Sequence, residues 1–107
     1  MTAIDIPFHP QMEDAALNGW KCCTSRSEPK GTRGDVFHIK GIPFRIIDIE
    51  VKTLNTITYL HYRHEGFDSP DEFVQFWKKI HRGNYTGPKK YYLHWFARAL
   101  DSDWCDP

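Results

Sequence analysis

Residues 90–99 need apolar cover on both sides. Read as a strand, this stretch turns Tyr91, Leu93 and Trp95 to one face and Tyr92 and Phe96 to the other. Side chains alternate across a strand, so only a central position in a sheet keeps rings on both faces out of water. The rest of the chain must supply that cover.

The clearest helix begins at residue 69. Ser69 stands as N-cap, Pro70 takes the first helical position, and Glu72 follows three residues after the cap, which together form a capping box. Phe73, Phe76, Trp77 and Ile80 then share one face. An earlier helix is expected over residues 10–18, burying Met12, Ala15 and Ala16 and stopping at Gly19. Residues 56–64 carry a further helical pattern, with Ile57, Leu60, His61 and His64 on one side. Strands are expected over 21–27, 36–40 and 42–54, the last two joined by a tight turn at Gly41 and Pro43. Ile47, Ile49 and Val51 alternate with Asp48, Glu50 and Lys52, the pattern of a sheet wet on one face. Together Ile47, Ile49, Val51, Phe73, Trp77, Leu93 and Trp95 are expected to bury in one core. One helix, several strands, two helices and a last strand make an α+β chain rather than a regular α/β alternation.

The chain has 107 residues, the size of one domain. A single domain is expected over 1–100, followed by an acidic, frayed tail at 101–107. Hydrophobic residues make up 40%, enough for a core without metal or disulfide staples. The formal net charge is +0, so any nucleic-acid contact must come from local clustering of cations. Cys22 and Cys23 are adjacent and Cys105 lies in the tail, an arrangement that predicts three thiols and a reducing compartment. The apolar runs are too short to span a membrane, and no signal peptide is visible at the N-terminus. The cytoplasm is the expected location.

The chemistry gathers at two places. Between Gly19 and Arg26 an ammonium, a hydroxyl and a guanidinium (Lys21, Thr24, Arg26) stand within eight residues. Strand alternation puts Thr24 and Arg26 on one face and Lys21 on the other, so Lys21 joins them only if the strand starts with a bend or bulge. Glu65 stands at the end of the expected middle helix, a placement that is unfavourable against the helix dipole unless a cation holds it. A surface strand with ordinary charges accounts for the same residues.

Gly19-x-Lys21-x-x-Thr24-x-Arg26, then Gly34-Asp35-Val36, then Glu65-Gly66-Phe67 and a helix with Phe73 and Trp77, resemble the ASCH domain family over residues 5–98. The resemblance implies a small PUA-like mixed β-barrel flanked by two or three helices, with a cleft between barrel and helices. It also implies RNA or a modified nucleoside as partner. Some small bacterial members of that family are amidohydrolases that remove the acetyl group of N(4)-acetylcytidine, and a ribonuclease is also known among them. The amidohydrolase residues correspond to Lys21, Thr24 and Glu65, with Arg26 as a positioning or anion-binding group. Amide hydrolysis needs an activated nucleophile, a proton for the leaving amine and a stabilised oxyanion. Thr24 could attack directly or orient a water, and Lys21 could act as base only with a lowered pKa. The same residues also serve a non-catalytic RNA-binding module, a protein-interaction adaptor, or a plain structural ion pair.

Lys78, Lys79, Arg82, Lys89 and Lys90 place five cations within residues 78–90 with no carboxylate among them. With Tyr91 beside them they make a candidate nucleic-acid surface. Trp20 is either a core ring or a stacking wall for a flat ligand. His38 and His94 read as packed or hydrogen-bonded residues. His61 and His64 are three apart, yet no further ligands stand at a recognised spacing, so neither metal nor cofactor is expected.

Overall fold

A computed structural model describes residues 4–99. In chain order the elements are α1 (Pro10–Leu17), β1 (Cys23–Arg26), β2 (Val36–Ile39), β3 (Ile42–Thr53), α2 (Leu54–His61), α3 (Pro70–Ile80) and β4 (Lys90–Arg98). The strands form one four-stranded sheet in the order β1-β4-β3-β2. The long last strand is thus internal, as its two apolar faces require. Each neighbouring pair is antiparallel, so the sheet is not mixed. β1 and β3 run the same way, but β4 lies between them and removes the parallel contact. Four strands curl into a half-barrel with β1 and β2 as its edges, rather than closing. The expected tail at 101–107 lies outside the described residues. Among the described residues no helix is long and apolar enough to cross a membrane.

Burial divides into two clusters, one on each face of β4, where a single core was expected. Tyr91 and Leu93 face Met12, Cys23, Leu54, Ile57, Phe73 and Trp77. Phe96, of opposite parity, faces Ile6, Phe37, Phe44 and Ile46. Helix α1 spans the seam, giving Met12 and Ala15 to the first cluster and Ala16 to the second, while Phe8 packs against both. In the second cluster Phe96 meets Phe37 and Phe44 edge-on at 5.4 and 5.7 Å between ring centroids, the arrangement favoured by the ring quadrupoles.

The alternation in β3 misleads because of a bulge. The pairing of β3 with β4 slips between Ile46 and Asp48, leaving Ile47 as the extra residue, 49% exposed. Before the slip Phe44 and Ile46 face inward, and after it Ile49 takes over beside the buried His94. Val51 lies beyond the cover and is 55% exposed. Helix α2 starts at Leu54 rather than at 56, so its buried side chains are Leu54, Ile57 and Thr58, and Leu60 is exposed. Ile80, in the last turn of α3, is exposed as well. The β2–β3 turn sits on Lys40 and Gly41, both at positive φ (50° and 80°), a two-residue hairpin with matching twist. Pro43 lies inside β3 opposite His38. The α3 cap forms as expected, with Ser69 Oγ accepting from Glu72 N at 3.2 Å, but Glu72 Oε2 reaches back to Asp68 N.

Candidate functional site

Helix α1 ends at Leu17 with Asn18 as its cap, and Gly19 at φ 81° turns the chain back so that Trp20 N and Lys21 N donate to Ala15 O. That turn delivers Lys21 ahead of β1. The segment after α2 is bound to the same place, because Cys22 N and Cys23 N both donate to His64 O at 2.7 and 3.2 Å. Lys21 and Glu65 form an isolated antiparallel bridge between the two segments. Gly66 makes the approach possible. Its φ of 101° suits glycine, and a Cβ there would stand 3.2 Å from both Ala15 Cβ and Lys21 Cβ. This is the physical content of the Glu65-Gly66-Phe67 triplet.

Lys21 and Glu65 are both 4% exposed. Lys21 Nζ donates to Glu65 Oε1 at 2.7 Å and to Glu65 O at 3.1 Å, which leaves one of its three N–H donors for a ligand. The other carboxylate oxygen, Oε2, accepts from Ser25 Oγ. Arg26 Nε donates to Thr24 Oγ1 at 3.3 Å and Arg26 Nη2 to Pro7 O at 2.8 Å. The guanidinium lies 5.1 Å from the centre of the Phe8 ring. Burial lowers the Arg26 pKa, with the Glu65 charge opposing, but a guanidinium keeps its proton throughout the neutral range.

These side chains line one cleft of about 210 Å³ together with Phe8, Phe67, Phe73, Phe76 and Trp77. One wall is polar, built by β1 and Glu65. The other is aromatic, built largely by α3 and the turn before it. Lys21, Thr24, Glu65 and Arg26 therefore meet, as the motif implies, and Lys21 does so by standing outside the regular strand.

Other sequence-predicted residues fall elsewhere. Trp20 does not line the cleft and is not core, being 69% exposed. Lys78, Lys79, Arg82, Lys89 and Lys90 are exposed. Tyr91 is buried, its ring edge-on to Trp77 at 4.9 Å, because its parity in β4 points it into the first cluster. It cannot stack on a base, and instead carries the Lys89 ammonium 5.2 Å above its ring. Ser25 was not singled out from the sequence. Strand parity gives no signal for it, since Ser25 alternates with Thr24 and Arg26 and reaches Glu65 only through the approach of the segment after α2.

His94 lies fully buried behind Thr24. Its Nδ1 donates to Tyr92 O at 2.9 Å and lies 3.3 Å from Thr24 O, while Nε2 accepts from Lys30 N at 2.9 Å. This pattern holds the neutral imidazole, and burial lowers its pKa below the ordinary 6.5. Below pH 6.5 the unfolded chain therefore binds more protons here than the folded one, and stability falls as pH falls. Urea titrations at pH 7.5 and 5.5 should show that loss, and it should be smaller in His94→Gln. An equal pH slope in both proteins would remove His94 from the account.

Burial raises the pKa of both Cys22 and Cys23, which are thiols, so neither is an activated nucleophile. Cys105 lies outside the described residues. His61 and His64 stand with their Nδ1 atoms 3.2 Å apart, both against the Trp95 ring. Among the described residues no three of His, Cys, Asp and Glu gather as metal ligands.

Comparison with known proteins adds a fold likeness. The chain is similar to the crystal structure of protein EF3133 from Enterococcus faecalis V583, described there under the family name DUF984. The TM-score is 0.57 at 16% identity, covering 82% of this chain and 69% of that one. No protein-family model matches the chain, and no curated protein does.

Proposed function

We propose that the cleft binds the base of a modified nucleoside and hydrolyses an acyl amide on it, with an N(4)-acylated cytidine as the substrate class. The observation that carries this reading is the buried Lys21–Glu65 pair at the wall of an open cleft, with Thr24 and Arg26 beside it. Desolvating two charges costs several kcal/mol per ion, and an apolar pair of the same size is often as stable. A buried pair facing an aromatic slot is therefore better explained by chemistry than by stability. The cleft volume of about 210 Å³ is below the roughly 300 Å³ at which drug-sized pockets begin, so a single base with a short acyl group suits it. The resemblance to the ASCH family supports the reading, since its amidohydrolase members use a lysine, a threonine and a glutamate that correspond to Lys21, Thr24 and Glu65.

In this reading the aromatic wall takes the flat face of the base, and Arg26 and Thr24 orient its polar edge. Water adds to the acyl carbon, and the bond from that carbon to the exocyclic N(4) breaks. The acyl group leaves as the carboxylic acid, and the exocyclic amine takes up the proton given by the water. Lys21 and Glu65 form the proton-transfer pair, with the spare Nζ–H of Lys21 directed at the developing oxyanion. Titration with N(4)-acetylcytidine, followed by Trp fluorescence and by amide shifts of residues 65–67 and 73–77, tests the site. Saturable shifts confined to these residues support it. Shifts absent there, or confined to the surface of residues 78–90, would replace it with a surface-binding module.

A further inference from the structure

A second concavity adjoins the cleft and shares two of its residues. Trp77 and His81 line both, stacked on each other with ring centroids 4.2 Å apart and planes at 18°. His81 Nδ1 faces Trp77 O at 2.9 Å, which leaves Nε2 for a partner. Beyond this pair the concavity, about 380 Å³, is lined by Arg82, Asn84, Thr86, Lys89 and Tyr91, and by no carboxylate.

Two features set its cations apart from ordinary surface charge. Arg82 occupies the residue after the α3 C-cap at φ 56°, and Gly83 N closes the turn on Lys78 O at 2.7 Å. Glycine is the usual occupant of that left-handed position, so the chain keeps a guanidinium at a conformational cost. The opposite wall is also rigid. Tyr85 bonds Asn55 and Thr58 at 3.1 and 2.6 Å. Asn55 N and Leu54 N donate to Gly87 O and Lys89 O, so the loop carrying Thr86 and Lys89 is pinned on the start of α2. Lys89 is positioned over the Tyr91 ring. Two cations on hydrogen-bonded backbone, with hydroxyl and amide groups between them and no carboxylate, suit a phosphate.

We propose that this concavity is an anion subsite that takes a phosphate ester attached to the base held in the cleft, so that the ligand is a nucleotide rather than a free nucleoside. The inference rests on the base-cleft reading for its ligand, but the anion site can be probed alone. Cytidine, its 5′- and 3′-monophosphates and inorganic pyrophosphate would each be titrated by NMR at low salt. At least one monophosphate should bind about tenfold or more tighter than cytidine. Pyrophosphate alone should shift the amides of residues 82–86 and 89. The Arg82→Gly/Lys89→Ala variant should lose both effects and keep its cytidine affinity, since glycine suits the backbone at 82. Equal binding of cytidine and both monophosphates would overturn the subsite, as would pyrophosphate that leaves those amides unmoved. Pyrophosphate shifts without any cytidine binding would support the anion site while counting against the base cleft.

Discussion

Glu65→Ala is expected to destabilise the folded protein by about 3–5 kcal/mol, because it leaves a buried ammonium without its counter-charge. Lys21 Nζ would keep only the Glu65 backbone carbonyl as acceptor, and the Ser25 hydroxyl would lose its partner. A domain of this length has roughly 5–15 kcal/mol of stability in total, so the variant should melt on the order of 15 °C or more below the parent. Replacing both partners together, as Lys21→Met with Glu65→Leu, should recover much of the loss, because the double change leaves no charge stranded. Thermal and urea unfolding of the parent and the two variants measures this directly. A loss below about 1 kcal/mol for Glu65→Ala would mean that the pair is hydrated like an ordinary surface bridge.

The largest kinetic effect is expected at Lys21. Lys21→Met removes the ammonium while keeping the bulk of the stem. It strands the Glu65 carboxylate and so lowers stability as Glu65→Ala does. The protein that remains folded should show kcat on an acylated cytidine lowered by about 10³-fold or more, as loss of a group acting in the transition state does. Thr24→Val keeps the shape and removes the hydroxyl, so a drop of about 10²-fold or more with little change in fold is expected, and Thr24→Ser should restore most of it. Glu65→Gln should reduce kcat more than it weakens binding, because it keeps an acceptor for Lys21 but cannot exchange a proton with it. Stopped-time assays at saturating substrate separate these outcomes. Retained turnover in Lys21→Met would exclude the ammonium from the reaction.

Helices α1 and α3 and the central strand can be read from local chemistry. The Ser69 cap with Pro70, the glycine stop after α1 and the two-faced apolar pattern of β4 are all set by near neighbours, and each stands where the residues put it. The errors came from features that neighbours do not encode. The bulge at Ile47 inverts the inward set of β3, and only the pairing with β4 reveals it. The division of the core into two clusters follows from which helix covers which face of β4, a tertiary choice. At the site, residue types and order pointed to Lys21, Thr24, Arg26 and Glu65, but the parity of a perfect strand placed Lys21 on the wrong side. Its position depends on the hydrogen bonds from Cys22 and Cys23 to His64, forty residues or so away in sequence. Tyr91 is a different case: it follows a basic run, yet strand parity, which the sequence itself carries, buries it.

The most direct test of the proposed chemistry is to incubate the protein with N(4)-acetylcytidine in excess and follow cytidine and acetate by mass spectrometry. The expected result is release of both products in equal amounts, over many turnovers per protein molecule, with the release lost in Lys21→Met. An N(4)-acetylcytidine pool that stays intact with stoichiometric parent protein, and that shows no saturable binding to the cleft, would contradict it.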